Sequence, residues 1–315
     1  MNIQQVHYIL SVVDSKNFET AAARCYISQS TLSTMIGKYE EEIGIKIFNR
    51  KTKPVSVTKE GERIIERLRI LRSELAQLED LVQEIKGEMT GVVKIGVIPT
   101  VAPYLLPVFL QELANRYPKL QINVREKTTA EIVKSLKKRT LDIGILALPI
   151  NDKDLIEKTV YVEPFLVYDC RNKPSNKPLA VHELDYQKLW LLQEGHCLRT
   201  QVNQICERSN EDKVDMLNFA FESGSMDSLI RFTKANKGMT ILPFLASLDF
   251  NGEQACRIIQ FKEPVPSRSV GLITHKYFVK NRLQKELVEI IENAIHPLLP
   301  LNAEMNVIQP LLDSY

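Results

Sequence analysis

A chain of 315 residues, 44% hydrophobic and 25% charged, is too long for one ordinary core and has the composition of a globular protein of two or three domains. Its 41 basic and 39 acidic residues leave a formal net charge of +2, so any nucleic-acid function must rest on local pattern rather than global charge. No apolar run reaches the roughly 18 residues of a membrane span, and Asp14, Lys16 and Glu19 stand where a signal peptide would be apolar, so a cytoplasmic location without a membrane partner is expected.

From the N-terminus, Val6, Ile9, Leu10 and Val13 recur at helical spacing, and Ala21, Ala22 and Ala23 open a second helix that runs to about Cys25. Tyr26 and Ile27 make a turn, Ser28 is a natural N-cap, and Leu32, Ile36, Tyr39 and Ile43 give a third helix its buried face. The outer face of that helix is small and polar. Gln29, Ser30, Thr31, Ser33, Thr34 and Lys38 suit a recognition helix, because bulky or acidic residues would hinder entry to the major groove, and Gln29 can read an adenine edge. Glu40, Glu41 and Glu42 would repel phosphate and are expected to face away from DNA. Gly44 ends the helix, and Pro54 with Val55, Ser56 and Val57 predicts a short hairpin, a wing with Arg50, Lys51 and Lys53 at its tip.

From Thr58 a long helix follows, in which Ile64, Leu68, Leu71, Leu75, Leu78, Val82 and Ile85 alternate at 4 and 3 residues. So narrow a stripe predicts a coiled-coil dimer seam; a helix packed on its own domain would show a wider one. Across residues 1 to about 60, Asn17-Phe18, Ala21-Ala22, Ile27-Ser28-Gln29-Ser30-Thr31-Leu32-Ser33, Ile36, Tyr39-Glu40, Ile43-Gly44, Phe48 and Arg50 resemble the winged helix-turn-helix signature of LysR-type regulators. The pattern departs in Ser30, where many members have proline, and in Gly37, which should cost about 1 kcal/mol of local helix stability.

Gly87 and Gly91 break the long helix, and strand-like runs then alternate with helical ones, as in an α/β domain. The strand candidates are 92–98, 120–126, 142–148, 161–168, 189–192, 218–221, 239–242, 257–261 and 270–274, while residues from about Leu301 to Tyr315 carry no readable signal. The resemblance implies the complete fold class: α/β, with an N-terminal all-α winged helix-turn-helix domain and a C-terminal two-subdomain, periplasmic-binding-protein-like α/β domain. The expected boundaries are 1–58 for the DNA-binding domain, 59–88 for the linker helix and 89–315 for the regulatory domain, with subdomain I at about 91–162 plus 269–300 and subdomain II at about 163–268.

The five cysteines, Cys25, Cys170, Cys197, Cys206 and Cys256, contain no CxxC, and a reducing compartment argues against a structural disulfide framework. Cys197 has His196 beside it and follows the Gly195 turn into a helical stretch, so its thiol is expected near a helix N-terminus, where the dipole favours thiolate. Spacing alone leaves open whether Cys197 and Cys206 are redox-active or merely packed. Nine residues of helix advance about 13.5 Å, whereas a disulfide needs Cα atoms within about 7 Å. If the two do pair, the segment from Leu198 to Ile205 must leave the helical conformation.

Leu192 to Cys206, with Ile98-Pro99-Thr100-Val101, Pro103-Tyr104-Leu105-Leu106-Pro107, Leu242-Pro243, Arg268 and Gly271-Leu272, resembles the OxyR branch of the LysR-type family, the peroxide sensors, and the similarity runs to about Leu298. That resemblance implies that peroxide oxidises Cys197 to a sulfenic acid and that Cys206 resolves it to an intramolecular disulfide. It also implies a peroxide pocket of Thr100, Thr129 and His196 with the basic residues Arg199 and Arg268. The implied partners are double-stranded promoter DNA, hydrogen peroxide as signal, a cellular dithiol as reductant, RNA polymerase, and further copies of the chain, as a dimer through the linker helix and a tetramer by family analogy. Thr200 and Gln201 follow Arg199 where the family often has an aspartate. Cys25, Cys170 and Cys256 are expected to be packing residues.

No GxxxxGK[ST], GxGxxG or His pair at metal-ligand spacing occurs, so no cofactor or metal is expected. Ser135 and Lys138 match SxxK by chance in a basic helix. Two competing classes remain: a LysR-type regulator of a small metabolite with structural cysteines, and a thiol peroxidase, against which the DNA-binding half argues. The expected reading is a regulator and not an enzyme.

Overall fold

A computed structural model of the chain describes residues 1–171, 174, 177–184, 189–206, 221–300 and 304–310. The chain divides into two units, Met1–Ile85 with Lys138–Thr140, and Lys86–Lys137 with Leu141–Tyr315.

The first unit builds its helices from capped segments. In α1 (Ile3–Ser15) the Asn2 side chain accepts from Gln5 N–H while the Gln5 side chain accepts from Asn2 N–H, which satisfies two otherwise orphaned donors. Asn17 caps α2 (Phe18–Arg24), and Ser28 Oγ accepts from Thr31 N–H at 3.1 Å to start α3 (Gln29–Ile43). Gly44 closes α3 at φ 67, a left-handed conformation that favours glycine. The wing is the antiparallel pair β1 (Phe48–Asn49) and β2 (Ser56–Val57), and α4 (Lys59–Ile85) follows it. Val6, Ile9, Leu10, Leu32, Ile36 and Tyr39 fill the core, together with Ile47, Ile65 and Leu68.

The second unit is one sheet flanked by helices. In chain order it holds β3 (Gly91–Val97), α5 (Ala102–Arg116), β4 (Leu120–Glu126), α6 (Thr129–Lys137), β5 (Ile143–Leu148), β6 (Leu155–Asp169) and α7 (Cys197–Ile205). There follow α8 (Met226–Ala235), β7 (Met239–Pro243), α9 (Gly252–Ala255), β8 (Ile258–Gln260), β9 (Val265–His275), α10 (Asn281–Ile295) and β10 (Met305–Val307). The strand order is β4-β3-β5-β9-β6-β7, with β8 added to β6 and β10 to β9.

Two strands are longer than their apolar runs predict. β6 and β9 pair antiparallel over most of their length and pass from one hydrophobic core to another, so neither keeps a single alternation of buried and exposed residues. The first core holds β3, β5, α5, α6 and α10, with Tyr161 on β6 and Val270 on β9; the second holds Phe165 on β6 and Val265 on β9 with α7, α8 and β7. At the crossing, Glu163 and Arg268 are register partners.

Three expectations need correction. Leu189–Leu192 forms no strand but only isolated bridges, Leu189 to Met239 and Leu192 to Ser223. The strand expected at 218–221 falls mostly outside the described residues, and Phe221 is not in a strand. The C-terminal stretch, which lacks a sequence signal because it is short and pairs only with a distant strand, contributes β10, parallel to Val265–Ser267.

Candidate functional site

On the first unit, α3 exposes Gln29, Ser30, Thr31, Thr34 and Lys38 and leaves Ser33 half-buried, while Lys53 is exposed on the wing. Arg50 is committed internally. Its guanidinium donates to Ser33 Oγ, pairs with Glu40 at 3.3 Å and lies 4.9 Å over the Phe18 ring. Glu40 does not merely face away from DNA: it is 1% exposed and accepts from the N–H groups of Ile47 (2.7 Å) and Phe48 (3.1 Å). A buried carboxylate with two backbone donors and a guanidinium ties the recognition helix to the wing. Its one sequence signal is position, four residues after the buried Ile36; its charge is hidden in the run Glu40-Glu41-Glu42.

Along α4 the expected seam divides. Leu68 is buried in the chain's own N-terminal core and Ile64 packs against that core. Leu71, Leu78, Val82 and Ile85 are exposed and Leu75 is half-buried, so the stripe open to a second copy begins at Leu71.

The second unit gathers a buried polar cluster where β6 and β9 cross between the cores. Arg268 and Glu163 are 1% and 0% exposed and pair at 2.8 Å. Arg268 Nη1 donates to Thr100 Oγ1 at 3.1 Å and Nη2 to the Thr100 carbonyl at 3.0 Å, while the second Glu163 oxygen accepts from Leu245 N–H at 2.9 Å. Burial pushes the Arg268 pKa down, but Glu163, Tyr161 and Cys197 outweigh it and hold the value above the usual arginine range. Thr100 therefore serves the arginine and does not cap α5, whose N-cap is Val101 without a side-chain bond.

Cys197, the first residue of α7, is buried against the first core and faces this cluster. Gly195, at φ 90, makes the turn that delivers it. Burial pushes the Cys197 thiol up; Arg268, the Thr129 hydroxyl and the N–H groups of Leu198 and Cys197 push it down, and burial prevails. The thiolate expected from the helix N-terminus is thus opposed by desolvation, and the resting group is a thiol. His196 adds no positive charge, because burial lowers its pKa. Thr129 is 3% exposed, and its hydroxyl has no oxygen or nitrogen partner among the described residues. Tyr161 Oη is buried without a hydrogen-bond partner among the described residues, its pKa pushed up first by burial and then by Glu163. Tyr104 joins both cores, and burial pushes its hydroxyl up to about 12.

Arg199, expected among the basic residues around the pocket, donates from Nη1 to the Leu192 carbonyl at 2.7 Å and braces the loop before α7. Thr200 donates back to the Cys197 carbonyl at 2.8 Å. Cys206 caps the far end of α7 and is buried in the second core with Leu198, Val202 and Ile205. The two thiols of one helix therefore sit in different cores, and neither is joined in a disulfide. Cys25 packs against the N-terminal core, and Cys170 is buried with its thiol pKa raised by burial. Cys256 is exposed and does not pack as expected. Among the described residues no three His, Cys, Asp or Glu side chains are placed to hold a metal ion, and no helix is long and apolar enough to cross a membrane.

Sequence reasoning missed Glu163. A carboxylate within the apolar run Val160 to Val167 is a signal, since a strand buried on both faces must pair such a charge. Its partner could not be read without the register that sets Arg268 opposite.

Comparison with known proteins finds relatives for both units. Residues 3–62 match the family described as bacterial regulatory helix-turn-helix protein, lysR family, and residues 86–295 match the LysR substrate binding domain. A hydrogen peroxide-inducible genes activator of Haemophilus influenzae is 31% identical over 87% of this chain and 90% of its own length. The regulator EstR of Acinetobacter baylyi is also 31% identical, over 92% of this chain and 95% of its own length. Among solved structures, a full-length OxyR variant from Pseudomonas aeruginosa superposes with a TM-score of 0.74 at 28% identity, covering 93% of this chain and 98% of that one. A winged helix-turn-helix unit followed by a two-core α/β unit, each matching its own family model, places the chain in the LysR family of bacterial regulatory proteins.

Proposed function

We propose that the chain is an OxyR-like, peroxide-responsive transcription regulator, switched by a reversible disulfide between Cys197 and Cys206. The observation that carries this reading is the placement of Cys197 against buried, cationic Arg268 and the buried Thr129 hydroxyl, with Cys206 at the other end of the same helix. Peroxide enters as the oxidant. The Cys197 thiol gives up its proton as its sulfur attacks one peroxide oxygen; the O–O bond breaks, and that proton ends on the departing hydroxide, giving water and Cys197 sulfenic acid. The Cys206 sulfur then attacks the Cys197 sulfur; the S–O bond breaks, a second water leaves, and the S–S bond forms. A cellular dithiol returns two electrons and two protons.

Helix geometry makes the second step mechanical. The Cα separation of about 13.5 Å along an intact helix exceeds the roughly 7 Å limit of a disulfide, so α7 must open. Withdrawing Leu198, Val202 and Ile205 from the second core opposes that step by about 1.5–3 kcal/mol each, which keeps the reduced form closed until the sulfenic acid supplies the drive. The refolded segment alters how regulatory domains pair. On promoter DNA this changes the spacing of recognition helices, within a dimer held through α4 or a tetramer of such dimers, and so the contact with RNA polymerase. Cytoplasmic thiol reduction completes the cycle.

Reduced protein treated with near-stoichiometric peroxide should yield the 197–206 disulfide by mass spectrometric mapping and a changed promoter footprint. Cys197→Ser and Cys206→Ser should abolish both. No disulfide in the wild type would defeat the reading, and sustained peroxide turnover would favour an enzyme. The match to the LysR substrate binding domain and the buried hydroxyls of Tyr161 and Ser267, which have no partner among the described residues, favour a second reading, a pocket for a small polar metabolite. Under it, a ligand and not peroxide changes the footprint, and the cysteine variants respond normally.

A further inference from the structure

The C-terminal segment Glu304–Pro310 runs between two elements that matter to the thiol site. On one side β10 pairs with Val265–Ser267, the three residues before Arg268, and Ile308 N–H donates to the Ser267 carbonyl at 2.8 Å. The Val265 N–H donates to the Glu304 carbonyl at 2.7 Å. On the other side, α7 reaches the same segment with two side chains. Gln201 Nε2 donates to the Ile308 carbonyl at 2.7 Å, and Gln204 Nε2 donates to the Gln309 carbonyl at 2.8 Å. Ile308 also packs against the second core, and Pro310 is buried.

Gln201 is 0% exposed, in the middle of the helix that bears both thiols. A buried amide there is costly unless bonded, and among the described residues its Nε2 donates to the terminal segment alone. Both glutamines reach successive carbonyls of one strand-like segment only while residues 201 and 204 lie one helical turn apart. The tail therefore recognises α7 as a helix and cannot hold it once opened.

We propose that Glu304–Pro310 is a brace that holds α7 helical in the reduced protein, with Gln201 and Gln204 as positioning residues that set how readily Cys206 reaches Cys197. The inference rests on the disulfide switch proposed above. The two glutamine bonds act on the second chemical step: they join α7 to the terminal segment and involve neither the Cys197 thiol nor Arg268, so the attack on peroxide proceeds at the same rate in the glutamine variants. Releasing it lowers the barrier to α7 opening and shifts the thiol–disulfide equilibrium toward the disulfide.

The test uses the full chain with Gln201→Met, which keeps volume and removes the donor, Gln204→Ala, their combination, and a chain ended after residue 303. Disulfide content is read against a ladder of glutathione ratios, and the first step separately as trapping of sulfenic acid in a Cys206→Ser background. Losing one hydrogen bond should move the equilibrium toward disulfide roughly fivefold, and losing both roughly 25-fold, with sulfenic acid formation unchanged. Gln204→Lys, which retains a donor, should restore the wild-type position. An unmoved equilibrium in the double glutamine variant overturns the brace, as does an equal change in sulfenic acid formation, which would mean a disturbed pocket. Should the shortened chain fail to fold, the glutamine variants decide. A wild type that forms no 197–206 disulfide defeats the switch itself, an outcome distinct from failure of the brace.

Discussion

Replacing Arg268 by methionine removes the positive charge at the strand crossing and leaves Glu163 buried with one remaining donor, the Leu245 N–H. Stranding one partner of a buried pair costs about 3–5 kcal/mol, because the remaining carboxylate has lost water without gaining a counter-charge. The two donations to Thr100 are lost as well. Urea unfolding of the reduced full chain, followed by the fluorescence of Trp190, the single tryptophan, should show a midpoint lowered by about 2 M if the slope is near 2 kcal/mol/M. Glu163→Gln alone should cost a similar amount by stranding the arginine. The double variant should recover most of the stability, since neither charge remains to be solvated. Thiol chemistry should part company with stability here: every variant lacking Arg268 loses the charge that opposes burial at Cys197, so alkylation and peroxide oxidation of Cys197 should slow in Arg268→Met and in the double variant alike. Additive stability losses would refute the pairing argument, and an unchanged Cys197 rate would refute the electrostatic role.

Lys53→Ala should leave stability intact and reduce the salt dependence of DNA affinity by about one phosphate contact, as measured by titration at several salt concentrations. Arg50→Ala should in addition loosen the wing by about 1.5–3 kcal/mol, because its charge-assisted bond to Glu40 is internal. Burial depresses the pKa of His196 below 6.5, so the stability tied to its neutral form is present above that pH and is lost as pH falls. Denaturation of the reduced protein should accordingly steepen below about pH 6.5, and His196→Gln should flatten that slope. Leu78→Glu with Val82→Glu should abolish dimers in sedimentation while leaving far-UV circular dichroism unchanged, since both side chains are exposed on the single chain.

Local pattern made the N-terminal unit legible. Ser28 as cap, Gly44 as terminator and the buried spacing of Leu32, Ile36 and Tyr39 are interactions within a few residues of chain, so the sequence states them directly. The long stripe on α4 was equally plain, but which of its residues a second copy can reach was not. Leu68 and Leu71 look alike in sequence, and only the packing of the N-terminal core buries the first and exposes the second.

The thiol site depended on distance along the chain. Cys197 and Cys206 were visible as a spaced pair beside a turn, whereas Glu163 acquires its meaning from Arg268, 105 residues away across a strand pairing. The sign of the Cys197 pKa shift was also a tertiary matter. The helix N-terminus favours thiolate, and sequence shows it; the burial that overrides it comes from a core assembled out of β3, β5, α5, α6 and α10. The terminal segment had no pattern of its own, because three residues of strand and two backbone carbonyls carry no periodicity. What the sequence determined by itself was every feature set by short-range geometry: caps, turns, helical faces and the helix joining two thiols. Tertiary structure alone decided which charges are buried together and which segment holds that helix, since desolvation and long-range hydrogen bonds exist only once the chain has closed.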